Sequence, residues 1–251
     1  MQIEISKLSR IGAREENQDR VEVLLGDHTV LAMVIDGMGG HSAGAEAARC
    51  AVTTLAERFR QNKQPLPQPD RFLARSIGHA HDDMVRLGRE QHIDEKPRAT
   101  CAVCIVQEDI AFWCHLGDSR VYHIRDGKVL QRTRDHTHVE LLFREGLIEE
   151  SEINTHPMRS FVELCLGGEP TKPPVTISGP HALQENDVLF LCSDGLWGGV
   201  SDVEIAQAFA EVNDQFELDE KVESLVTDAI ANNMPGSDNT SVAVLIWRGK
   251  N

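Results

Sequence analysis

Apolar residues recur every fourth position at Ala43, Ala47, Ala51, Leu55 and Phe59, a spacing that lines one face of a helix. A second helical stripe runs through Leu73, Ile77, Ala80, Met84 and Leu87, and a third through Leu218, Val222, Leu225, Val226 and Ala229. Between the first two lies the polar, proline-bearing stretch 61–70 (QNKQPLPQPD), which separates them. Near-continuous apolar runs at 30–35 (VLAMVI), 188–192 (VLFLC) and 241–247 (SVAVLIW) suit strands buried on both faces. Segments 99–106, 110–116, 120–125 and 128–132 follow one another closely, and Asp126-Gly127 between the last two signals a tight hairpin that needs positive φ. Close hairpins predict antiparallel sheet. Helices grouped in pairs, not alternating with strands, predict an α+β fold and argue against a doubly wound α/β one.

Chemistry enters where the apolar runs stop. Residues 30–40 (VLAMVIDGMGG) place Asp36-Gly37 at a strand end, 112–120 (FWCHLGDSR) place Gly117-Asp118 there, and 188–199 (VLFLCSDGLWGG) place Asp194-Gly195 there. In 236–246 (GSDNTSVAVLI), Asp238 stands just before a strand begins. One such aspartate is a turn or cap residue. Four at equivalent strand ends, each with glycine at or near it, can converge on one rim. Converging carboxylates repel, and hard divalent cations with oxygen ligands neutralise them. Two such ions about 3.5–4 Å apart can share a bridging carboxylate, lower the pKa of a water and offset phosphoryl charge.

The bulk composition narrows the partners. With 40 acidic against 25 basic side chains and a net charge of -15, the surface repels nucleic-acid backbones and anionic lipid, so neither is an expected partner. No apolar run approaches the ~20 residues of a membrane span, and Met1 to Arg10 carry no signal core, so a cytoplasmic location is expected. The six cysteines (50, 101, 104, 114, 165 and 192) mostly sit in apolar runs and read as buried free thiols. Cys101 and Cys104 have knuckle spacing, yet on a strand an odd separation points them to opposite faces. The length of 251 residues suits one domain over 1–251.

The segments Gly12-Ala13-Arg14, Asn17-Gln18-Asp19, Asp36-Gly37-Met38-Gly39-Gly40-His41, Gly117-Asp118-Ser119-Arg120, Thr133-Arg134-Asp135-His136, Ser193-Asp194-Gly195-Leu196-Trp197 and Ser237-Asp238-Asn239 resemble, in order and spacing, the PPM family of type 2C metal-dependent protein phosphatases. The resemblance implies an α–β–β–α sandwich, two antiparallel sheets flanked by helix pairs, with two or three Mn²⁺ or Mg²⁺ ions at one end. It implies Asp36 as the metal-bridging carboxylate, Gly37 as a carbonyl ligand, Asp194 and Asp238 as further ligands, Asp118 as ligand of a third ion, and Asp19 as a contact through water. Arg14 matches the family's clamp on the substrate phosphate, and His41 the proposed general acid. Gln18 stands where members often carry glutamate; it keeps an acceptor oxygen and loses the charge. Thr133 to His136 read as structural support, Trp197 as core packing, and His79, His81, His92, His138 and His156 as solvated. Segment 137–168 occupies the place of the family's flap, with Glu163-Leu164-Cys165-Leu166-Gly167 lacking the usual basic residue.

The implied function is hydrolysis of phosphoserine and phosphothreonine on proteins, opposing a serine/threonine kinase, by a monomer. A non-catalytic phosphoprotein-binding module that keeps the fold is the alternative, motivated by Gln18 and the altered flap. A two-metal nuclease or phosphodiesterase is disfavoured by the net charge of -15.

Overall fold

A computed structural model describes residues 1–39, 41–90 and 96–250, and for His41, Ser42, Glu150 and Asn154 the backbone alone. His92 lies outside the described residues. The strands are β1 (Gln2–Arg10), β2 (Asp19–Gly26), β3 (Thr29–Met38), β4 (Arg98–Gln107), β5 (Ile110–Leu116), β6 (Arg120–Arg125), β7 (Lys128–Arg132), β8 (Leu166–Gly167), β9 (Ile177–Ala182), β10 (Asp187–Cys192) and β11 (Thr240–Gly249). The helices are α1 (His41–Gln61), α2 (Pro69–Glu90), α3 (His138–Arg144), α4 (Asp194–Trp197), α5 (Asp202–Ala208) and α6 (Gln215–Asn232). One sheet has the order β1-β11-β10-β6-β7 and the other β2-β3-β4-β5-β9, with β8 added to β4; all pairings are antiparallel. The α+β sandwich expected above is the observed architecture.

Three apolar layers hold it. On β3, Leu31, Met33 and Ile35 pack with Leu55, Phe59, Leu73 and Ile77 of α1 and α2, while the alternate residues Val30, Ala32 and Val34 meet Leu189, Leu191 and Leu245 of the opposite sheet. Beyond that sheet, Phe190, Val242 and Val244 pack on Leu218, Val222 and Val226 of α6. This is why β3, β10 and β11 read as unbroken apolar runs: each strand has a buried neighbour on both faces. The same alternation separates Cys101, which faces the helices, from Cys104, which faces the other sheet.

Two features depart from the pattern. First, the apolar residues of β1 and β2 are interrupted by polar ones. Ile3 and Ile5 point between the sheets while Ser6 on the other face donates its hydroxyl to Asp219 at 2.6 Å, so the apolar signal of β1 is thin. Second, β5 and β6 do not form a hairpin. The chain crosses there from one sheet to the other through Gly117, Asp118 and Ser119. The β6–β7 hairpin does turn on Asp126 and Gly127, with φ of 51° and 67°.

Among the histidines read as solvated, His81 is a correction. It is buried on α2, its Nδ1 accepts from the Gly167 amide at 3.2 Å, and burial lowers its pKa. A histidine among the many polar residues of α2 gave no sign that β8 would cover it.

Residues 137–168 form α3, a 3₁₀ turn over Glu150–Thr155 and β8, pinned by a bridge between Thr137 and Val162. Among the described residues no helix is long and apolar enough to cross a membrane.

Leu245→Ala, in the layer between the sheets, is expected to lower stability by about 2–5 kcal/mol. Leu130→Ala on exposed β7 should stay within about 0.5 kcal/mol. Urea denaturation of the two variants checks this.

Candidate active site

Both sheets end at a common rim, and the rim collects the carboxylates. Asp36 lies near the end of β3, directly opposite Asp19 at the start of β2. Asp118 sits in the β5–β6 crossing, Asp194 opens α4 immediately after β10, and Asp238 precedes β11. Arg14, Gln18, Asp36, Gly37, Asp118, Asp194 and Asp238 line one cleft of about 620 Å³. Asp19 lies behind it, buried, its Oδ2 accepting from Ser193 Oγ at 2.7 Å and its Oδ1 left without a hydrogen-bond partner. The backbone of His41 opens α1 just beyond; the His41 side chain is outside the described residues.

Charge crowding marks the cleft. Burial, then the charges of Asp19, Asp194, Asp118 and Asp238, push the Asp36 carboxyl well above its ordinary range. Burial and the charges of Asp118, Asp238 and Asp19 do the same to Asp194. Burial and the Asp135 charge bring Asp118 to about 7, and burial brings Asp19 to about 6. Arg14, on the exposed rim, donates from Nη2 to Asp238 Oδ2 at 2.6 Å, and that contact raises the arginine's pKa.

Among the described residues no three Asp, Glu, His or Cys side chains stand close enough together to hold an ion as they are. The chemistry of the donors nevertheless fits a hard divalent cation. They are oxygen donors, one buried oxygen of Asp19 has no partner, and burial with mutual repulsion holds protons on carboxylates that a cation would displace.

The supports around the cleft are largely residues whose part is hidden in the sequence. Asn239 staples the loop carrying Arg14: its Nδ2 donates to the carbonyls of Ile11 (2.8 Å) and Glu16 (3.0 Å), and its Oδ1 accepts from the Gln18 amide (2.8 Å). The Ala13 amide donates to the Ser237 carbonyl at 3.0 Å. Gly12 has φ +64°, and a Cβ there would fall 2.3 Å from the Asp238 carbonyl oxygen, so this close approach needs glycine. At Gly37 a Cβ would fall 2.0 Å from the Gly44 carbonyl oxygen, which lets α1 abut the end of β3.

Asp118 is held by a second assembly. Asp135 takes two hydrogen bonds from buried Arg120, at 2.8 and 2.7 Å, and that guanidinium lies 3.7 Å over the Trp197 ring. Trp197 in turn donates its indole N–H to the Asp118 carbonyl at 2.8 Å. The tryptophan is thus half-buried and bonded to the aspartate loop, more than the core filler its residue type suggests. His136 closes the other side, its amide donating to the Gly117 carbonyl at 2.8 Å and its Nδ1 accepting from the Gly117 amide at 3.2 Å. From segment 137–168, Ser160 and Val162 reach the cleft wall.

Residues 8–232 match the protein phosphatase 2C family. The chain is 32% identical over 250 residues to the protein phosphatase PhpP of Streptococcus pneumoniae, covering 97% of each chain. The serine/threonine phosphatase of S. agalactiae superposes with a TM-score of 0.86 at 29% identity, covering 99% of this chain and 100% of that one. The catalytic domain of the serine/threonine protein phosphatase PstP, solved in complex with 2 manganese ions, superposes with a TM-score of 0.80 at 27% identity over 97% of each chain. The chain belongs to the protein phosphatase 2C family and is a serine/threonine protein phosphatase.

The shifted carboxylates give a stability signature. Asp118 (about 7) and Asp19 (about 6) keep protons in the folded state that the unfolded chain, titrating near 4, has released. Their stabilising effect is present at low pH and is lost as pH rises through the folded values. Below about pH 6.5 His136, lowered to about 4 by burial, acts in the opposite sense, because the unfolded chain then binds the extra proton. Chelator-treated protein is therefore expected to lose thermal stability from about pH 6.5 to 8. Asp118→Asn should reduce that slope, and Mn²⁺ should abolish it, as read by melting temperature against pH.

Proposed function

We propose that this chain hydrolyses phosphoserine and phosphothreonine esters in proteins with Mn²⁺ or Mg²⁺ held at the acidic cleft, and so opposes a serine/threonine kinase. The observation that carries the reading is the gathering of Asp36, Asp118, Asp194 and Asp238 beside Arg14 in one cleft, with carboxylates that repel in the absence of a cation. Asp36, Asp194, Asp238 and the Gly37 carbonyl would hold two ions, Asp118 a third, and Asp19 would act through water. Such ions, when bound, lower the pKa of water and offset charge on phosphoryl oxygens.

The remaining work falls to the chain's own groups. Arg14 binds the phosphate, its planar guanidinium matching two phosphoryl oxygens. Its bond to Asp238 keeps it at the cleft, which supports that role. His41 donates a proton to the departing seryl or threonyl oxygen. Asn239 fixes the Arg14 loop relative to Asp238, and Arg120, Asp135 and Trp197 fix the Asp118 loop, so that the two sides keep their separation during turnover. The chain acts as a monomer and one domain over 1–251, with residues 137–168 as the flap that shapes access.

Turnover of p-nitrophenyl phosphate and of a phosphothreonine peptide with Mn²⁺ tests the reading; folded protein inert toward both refutes it. Asp36→Asn and Asp238→Asn are each expected to lower kcat by about 10²–10³ or more. Arg14→Ala should raise KM by roughly tenfold to a hundredfold with kcat little changed, the signature of a contact made equally in ground and transition states. A loss confined to kcat would remove that role from Arg14. Asn239→Ala should raise KM in the same direction, through a displaced Arg14.

A further inference from the structure

A second groove, of about 800 Å³, lies on the other side of Val162 and includes Arg98, Leu164, Lys172, Pro173 and Pro174 in its walls. It adjoins the acidic cleft. Val162 lines both, and Met38 of the cleft is followed in the chain by Gly39 of the groove. The register of β3 with β4 sets the spacing: Asp36 lies opposite Thr100 and Met38 opposite Arg98. Arg98 therefore stands two residues, about 7 Å, farther along the rim than the position facing Asp36.

The charges of the groove are mostly cancelled. Lys96 pairs with Glu169 at 2.6 Å, Lys172 with Asp82 at 2.7 Å, and Glu163 with His138 at 2.8 Å. Among the described residues the Arg98 guanidinium has no hydrogen-bond or ion-pair partner. It is exposed, and its stem passes over Gly168, whose missing Cβ leaves room: one built there would lie 3.1 Å from Arg98 Cδ. Arg98 is thus the one basic side chain of this groove, among the described residues, whose charge is left for a ligand. Beside it, Val162, Leu164 and the two prolines offer an apolar wall suited to an extended backbone.

We propose that this groove receives the segment of the phosphoprotein substrate next to its phosphorylated residue, and that Arg98 selects an acidic side chain two or three positions away. The distance follows from the register, since an extended peptide advances about 3.3 Å per residue. Arg98 is a specificity-determining residue that touches neither the phosphate nor the carboxylate cluster. The inference rests on the phosphatase reading above and adds a preference to it.

The test compares phosphothreonine peptides carrying glutamate or glutamine at the second and third positions on either side of the phosphothreonine, with p-nitrophenyl phosphate as a substrate too small to enter the groove. Wild-type protein should favour a glutamate peptide by about threefold to fivefold in kcat/KM, the scale of one solvent-exposed ion pair. The preference should shrink with added salt. Arg98→Ala should equalise the peptides and Arg98→Glu should invert the order, with turnover of p-nitrophenyl phosphate unchanged in both. Equal turnover of all peptides by wild-type protein, or a preference that survives Arg98→Glu, overturns the groove assignment. Loss of p-nitrophenyl phosphate turnover in the variants alone also overturns it, because Arg98 would then act in the chemistry. Wild-type protein inert toward p-nitrophenyl phosphate and peptides alike would instead defeat the underlying reading.

Discussion

Like charges crowded at low dielectric are the constraint around which this molecule is arranged. Five aspartates meet at one end of a β-sandwich, and burial with mutual repulsion lifts the carboxyls of Asp19, Asp36, Asp118 and Asp194 above their ordinary values. Carboxylates left to relax would move apart or turn to solvent. They stay because each is fixed by backbone that belongs to a strand end or to a loop tied down elsewhere. The sandwich thus stores an unfavourable arrangement at its rim, stabilised by three apolar layers behind it.

The supports are divided between the two sides of the cleft. Asn239 satisfies three backbone groups of the Arg14 loop with one amide side chain, so the Arg14 loop is tied to the residue next to Asp238. Across the cleft, Arg120 is bonded to Asp135 and stacked on Trp197, which bonds the Asp118 carbonyl. A buried ion pair of this kind contributes little net stability, since desolvation offsets attraction. Its value here is positional: it fixes the loop at which the chain passes from one sheet to the other. Segment 137–168 and the Arg98 groove lie outside both supports.

Much of this was legible in the chain. The fourfold apolar spacing of α1, α2 and α6 and the unbroken runs of β3, β10 and β11 announce themselves because each element buries a full face or both faces. Asp36, Asp118, Asp194 and Asp238 were visible as aspartates at strand ends beside glycines. Less visible were β1 and β2, whose faces are partly polar, and His81, a polar residue that only the covering β8 turns into a buried one. The parts played by Asn239 and Trp197 were hidden because their partners, Ile11 and Asp118, are far away in sequence.

The division follows from the range of the forces. Local spacing decides which segments are helices and strands and where a carboxylate meets a turn, because periodicity and backbone sterics act over a few residues. Which strand ends share a rim, which aspartates repel, and that Arg98 is left without a counter-charge beside the cleft depend on pairings such as β1 with β11, set by packing across the whole chain. Those are distances in space, and only the folded structure supplies them.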